Sequence, residues 1–116
     1  MRPLTPALLV AIGLSTTACV SLPIYPFVTE EDAAGLRGFH YAQDNCAGCH
    51  QIRYEGASKN PRAPSFGQIH RSFSRTGLES ELDAITEVGH FGMAPRPISP
   101  TDRSDVATYI ENLRRP

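Results

Sequence analysis

Two cysteines three positions apart, with a histidine directly behind the second, constrain this chain more than any other feature: Cys46-Ala47-Gly48-Cys49-His50. On one tight turn the two thiols can reach two points on the same flat ligand, and the next residue brings an imidazole beneath its centre. Cys-x-x-Cys-His is the attachment pattern of c-type haem. Each thiol forms a thioether with a vinyl group of one porphyrin, and the imidazole binds the iron. Two other uses of such a pair fit less well. A Cys-x-x-Cys redox pair calls for alternating strands and helices, a context this chain lacks. Half a zinc site calls for a second close pair of Cys or His, whereas His70 and His90 stand singly and far apart and Cys19 belongs to the N-terminal signal described next. The fold must wrap this turn around a cofactor.

That requirement suits the composition. Nine Gly and ten Pro in 116 residues, with no Trp, predict long loops between short elements and a thin side-chain core. The length fits one domain. A hydrophobic share of 41% and a charged share of 20% exclude a disordered chain and a multi-span membrane protein. The net charge of −1 argues against a nucleic-acid binder, which carries a basic excess.

Residues 1–18 read as an export signal. Met1-Arg2 is a short basic start, and the apolar run from Pro6 to Leu14 leads to small residues ending at Ala18. The run is too short for the roughly 20 residues of a transmembrane helix. Cleavage after Ala18 is one outcome. The other is lipidation of Cys19, since Ala18-Cys19 resembles the end of a bacterial lipobox, although Thr16 stands where a leucine is usual. Residues 19–29, with Pro23 and Pro26, form an extended leader. The domain proper is 30–116.

Within that domain the pattern predicts an all-α fold of about four short helices. The first starts at a Thr29 cap with Glu30, Glu31 and Asp32 behind it, and runs into Asn45-Cys46. The second carries Phe66, Ile69 and Phe73 and is closed by Gly77. Thr76 and Glu79 match a capping box for the third, whose face is Leu78, Leu82, Ile85 and Val88, with Gly89 as the stop. The fourth has Ser99 as cap, Pro100 at its first position and Asp102 three residues after the cap. Its stripe is Val106, Tyr109, Ile110 and Leu113, and Arg114 and Arg115 sit at its negative end.

A closed haem carrier needs a second axial ligand, and a thioether raises the iron's potential relative to a second imidazole. Met93, in Gly92-Met93-Ala94-Pro95, is the methionine available besides the initiator. His90, three residues earlier, is the competing ligand. His40 and His70 read as ordinary surface histidines. The iron-binding imidazole also needs a hydrogen-bond acceptor for its Nδ1 proton, and Pro61 and Pro64 both offer a rigid loop carbonyl beyond His50.

On these residues the chain resembles the class I c-type cytochromes, the small single-haem bacterial kind. The resemblance runs from about Gly35 to Leu113 and is strongest over Gly38-Phe39-His40-Tyr41-Ala42-Gln43-Asp44-Asn45-Cys46-Ala47-Gly48-Cys49-His50. It implies the cytochrome c fold, with Gly38 letting the first and last helices cross, Tyr41 as the aromatic of the first helix and Tyr109 packing against Gly38. Pro64-Ser65-Phe66 resembles the family's proline-x-apolar segment, which makes Pro64 the preferred acceptor for His50. Met93 stands at the methionine-ligand position, although relatives place proline directly after it and here Ala94 intervenes. The resemblance further implies one haem c per chain, held by Cys46 and Cys49, with His50 and Met93 on the iron. The implied function is one-electron transfer between extracytoplasmic redox partner proteins in the periplasm, without enzymatic chemistry. Contact with a membrane would come only through a lipid at Cys19. The alternative is a haem-based sensor, or a haem subunit dedicated to one oxidoreductase.

Charge is split along the chain. Residues 51–75 carry Arg53, Lys59, Arg62, Arg71 and Arg75 against Glu55 alone, whereas residues 76–90 carry Glu79, Glu81, Asp83 and Glu87 with no cation. The basic stretch, with Arg96, is expected to border the haem edge and meet an acidic partner.

Overall fold

A computed structural model of the chain describes residues 29–113. The signal segment 1–18, Cys19 and the leader as far as residue 28 lie outside the described residues, as do Arg114 and Arg115. The described chain is all-α, with helices α1 (Glu30–Asn45), α2 (Phe66–Ser72), α3 (Arg75–Val88) and α4 (Pro100–Glu111). No helix among the described residues is long and apolar enough to cross a membrane.

Side chains that satisfy free backbone N–H groups set the helix starts. Thr29 Oγ1 accepts the Asp32 N–H at 3.1 Å while Asp32 returns the bond to the Thr29 N–H at 3.2 Å, and the acidic first turn complements the helix dipole. Ser99 accepts the Asp102 N–H at 3.1 Å, with Pro100 opening α4 as its pattern predicts.

The middle helices differ from expectation at two ends, the close of α2 and the start of α3. A reciprocal Ser65–Gln68 capping box, with bonds of 2.8 and 3.2 Å, opens α2. That helix ends at Ser72, because Phe73 turns extended (φ −126°, ψ 142°) well before Gly77. Ser74 then caps α3 by accepting the Gly77 N–H at 3.2 Å, so the helix begins ahead of the predicted Thr76 cap. Thr76 and Glu79 thus lie inside α3, and Glu79 pairs with Arg75 at 3.3 Å instead of closing a box. Gly89 does stop α3, at a φ of 71° that favours glycine.

The principal contact is the crossing of α1 over α4, and α2 and α3 also pack on α4. Gly38 makes the crossing close: a Cβ there would strike the Asp105 carbonyl and crowd Tyr109 Cβ. Ala42 and Ala107 are fully buried and Val106 and Ile110 nearly so, and Ile52, Phe66 and Leu78 complete the cluster. Phe39 sets its ring edge-on to Tyr109, 5.5 Å between centres. Arg37 forks onto the buried Asp105 carboxylate with bonds of 2.7 and 3.0 Å and also reaches Glu30 at 3.0 Å, tying the two helices beside the crossing. These partners hold the Arg37 guanidinium even more firmly protonated than usual, through the hydrogen bond to Asp105 first and that to Glu30 second.

Candidate functional site

The thiol turn grows directly out of α1. Cys46 is the C-cap, its N–H donating to the Ala42 carbonyl at 2.8 Å, and the chain then tightens so that the Cys49 and His50 N–H groups both donate to the Cys46 carbonyl, at 3.1 and 2.9 Å. Both thiols are free. Cys46 is half-buried and Cys49 exposed. Burial pushes the Cys46 thiol up to about 11, and the Arg96 charge offsets part of that rise.

The loop after this turn is drawn back onto it. The Asn60 N–H donates to the Cys49 carbonyl at 3.0 Å and the Phe66 N–H to the Gln51 carbonyl at 2.8 Å. Those bonds bring the Pro64 carbonyl oxygen to 2.7 Å from His50 Nδ1. A carbonyl can only accept, so Nδ1 carries a proton and Nε2 is the ring nitrogen available to a metal. Phe66 stands beside the same imidazole, ring centres 5.9 Å apart.

Across from His50 lies the loop that follows α3. Its residues 90–93 form a turn in which the His90 N–H donates to the Met93 carbonyl at 3.2 Å and the Met93 N–H to the His90 carbonyl at 2.9 Å. Gly92 takes the positive φ of 80° that the third position of a type II turn requires. The structure thus gathers Cys46, Cys49, His50, Pro64, His90 and Met93 around one region. His90 is the nearer histidine, its ring 5.9 Å from that of His50. His40 stays on the exposed side of α1 against Phe39.

A haem fits what these residues leave open. Val88, just before the turn, and Phe91, within it, are 74% and 70% exposed, an apolar surface that a flat ligand can cover. Two free thiols and an imidazole with one nitrogen already satisfied make up the donor set that a covalent haem requires. Among the described residues no three His, Cys, Asp or Glu side chains gather as a metal-ion cluster.

Three supports of the site escaped the sequence reading. Tyr109 Oη donates to the Ile52 carbonyl at 2.8 Å, so α4 braces the chain two residues past His50. His70 is not a plain surface residue: it is half-buried, with Nδ1 2.9 Å from the Ile110 carbonyl, and it ties α2 to the end of α4. Arg62 lies over the Phe91 ring at 4.2 Å and spans the loops on either side of the site. Of the three, only the Ser65-x-x-Gln68 box that starts α2, and so places His70, left a local signal. The others join residues far apart in the chain.

The family model described as Cytochrome c matches residues 36–114. No curated protein and no solved structure matches the chain. With more than half its length matched and a single Cys-x-x-Cys-His turn, the chain belongs to the cytochrome c family, which carries covalently bound haem c, here one per chain, and moves electrons between redox partner proteins.

Proposed function

We propose that the protein is an exported one-electron carrier of the small single-haem bacterial class, with Cys46 and Cys49 as the thioether residues and His50 and Met93 as the axial ligands. The observation that carries this reading is the 2.7 Å bond from His50 Nδ1 to the Pro64 carbonyl, which holds the imidazole beside both thiols with Nε2 available. Bound haem supplies a single-electron couple at its iron. The chain's own residues fix the ligands: Pro64 orients His50, Tyr109 holds the backbone behind it, and the hydrogen-bonded 90–93 turn fixes where Met93 starts. Little then needs to rearrange when an electron arrives. Haem is attached to reduced thiols after the chain crosses the membrane, which agrees with the export pattern of residues 1–18 and supports a periplasmic location, with a tether there if Cys19 is lipidated.

Spectra of the purified protein in both redox states test this. Covalent haem c is expected, with a far-red iron–thioether band in the ferric form that disappears in Met93→His, accompanied by a lower potential. Haem that extracts into acidic organic solvent would sink the attachment reading. A band that survives the substitution would sink Met93.

The arginines sort into two groups. Arg75 is committed to Glu79 and Glu111, at 3.3 and 3.7 Å, and Arg103 to Asp83 at 3.0 Å, which tempers the acidic α3 face. Arg62 lies at the site over Phe91, Arg53 over Phe39, and the Arg96 charge is felt at Cys46. This arrangement favours an acidic redox partner docking on the site side. Reversing both Arg53→Glu and Arg62→Glu should slow oxidation by ferricyanide, an anionic acceptor, roughly tenfold at low salt, with the difference closing at high salt. Unchanged rates at low salt would rule the basic edge out as a docking aid.

A further inference from the structure

The turn at residues 90–93 presents two different iron-binding side chains at once. His90 and Met93 exchange both of their backbone hydrogen bonds, at 3.2 and 2.9 Å, so they sit directly opposite one another on its two arms. Directly opposed residues of an antiparallel pair project to the same face. An imidazole and a thioether therefore leave the turn on one side. That side is toward His50, because the His90 ring centre lies 5.9 Å from that of His50, with 41° between the ring planes. Metal–imidazole bonds run about 2 Å, so two imidazoles on opposite sides of one metal keep their ring centres roughly 6 Å apart. His90 stands at that separation.

The surroundings keep this pairing in register. Gly89 approaches the Met93 carbonyl and the Ala94–Pro95 backbone so closely that a Cβ on it would collide with them. The turn is closed at its base, so the backbones of residues 90 and 93 keep their pairing while either side chain is free to rotate.

We propose that His90 is a standby ligand: Met93 holds the iron, and His90 takes its place whenever the thioether lets go, which keeps the iron closed to outside molecules. The proposal rests on the reading of the 90–93 turn as the far side of a haem held by His50. Because an imidazole in place of a thioether lowers the potential, it favours ferric iron. By linkage the exchange is weighted toward the oxidised protein.

The test uses the purified holoprotein and its Met93→Ala and Met93→Ala/His90→Ala variants. Met93→Ala is expected to remain low-spin, to show two imidazoles by electron paramagnetic resonance, and to exclude carbon monoxide when reduced. The double variant is expected to lose the low-spin signature and to bind carbon monoxide stoichiometrically. If Met93→Ala alone is already high-spin and binds the gas, or if the double variant keeps two imidazoles, His90 is not the standby ligand. Should Met93→Ala fail to retain haem, cyanide binding to the ferric protein decides, with Met93 intact. The His90→Ala protein should bind cyanide roughly tenfold faster than wild type, because no internal competitor occupies the opened iron. Equal rates would overturn the proposal. The far-red thioether band of the wild type reads Met93 separately: its absence refutes the resident ligand itself, whereas a present band with an opened Met93→Ala refutes only the standby.

Discussion

Gly38→Ala is expected to destabilise the protein by about 3 kcal/mol, at the upper end of what overpacking a core costs. The added methyl has nowhere to go. It would strike the Asp105 carbonyl, which is backbone in the middle of α4, and crowd Tyr109 Cβ. Relief requires α1 and α4 to separate, and separation loosens the fully buried Ala42 and Ala107 together with Val106. Shifting α4 also strains the Arg37 fork onto Asp105, whose carboxylate is buried. Guanidinium unfolding followed by helix signal checks this, as a lowered midpoint with little change in slope. A midpoint within experimental error of wild type would mean the crossing is looser than described.

Gly67→Ala is expected to cost a similar amount, roughly 2–3 kcal/mol, but with a different signature. Gly67 lies in the first turn of α2, and a Cβ on it would run into the Tyr54 carbonyl. The loop that must yield is the one drawn back onto the thiol turn, and it carries Pro64 three residues ahead of the substituted position. The variant should therefore change the haem absorption and potential as well as the unfolding midpoint, whereas Gly38→Ala should leave the spectrum close to wild type while the protein is folded. A Gly67→Ala protein that lost stability with an unaltered spectrum and potential would show that Pro64 does not govern His50.

Such couplings mark what could be read from residues alone. Gly38 and Tyr109 were legible through the family resemblance, which puts a glycine eight residues before the first cysteine opposite an aromatic of the last helix, and the structure bears it out. The start of α4 was legible because Ser99, Pro100 and Asp102 each act within one turn. The start of α3 was not: Ser74 has Gly77 at the position where a box needs a glutamate or glutamine, so the pattern pointed two residues too far along. Phe73 counted as helix by its period, yet the backbone turns extended there and leaves the ring 43% exposed. The Arg37–Asp105 fork and the Tyr109–Ile52 bond join residues 68 and 57 apart, and no local pattern encodes such pairings. In the site the thiol turn spoke for itself. The hydrogen-bonded pairing of His90 with Met93 needed the backbone geometry, because sequence alone showed two rivals rather than two neighbours.

The crossing of α1 and α4 also sets an order in time. The chain emerges N-terminus first, so α1 and the thiol turn appear before the helix that packs on α1. Until Pro100–Glu111 arrives, Gly38, Ala42 and the half-buried Cys46 have no surface to pack against. The burial that raises the Cys46 thiol is therefore a property of the finished protein and not of the nascent one. The Cys46 sulfur is therefore open until the final helix docks, whereas Cys49 stays exposed in the folded chain.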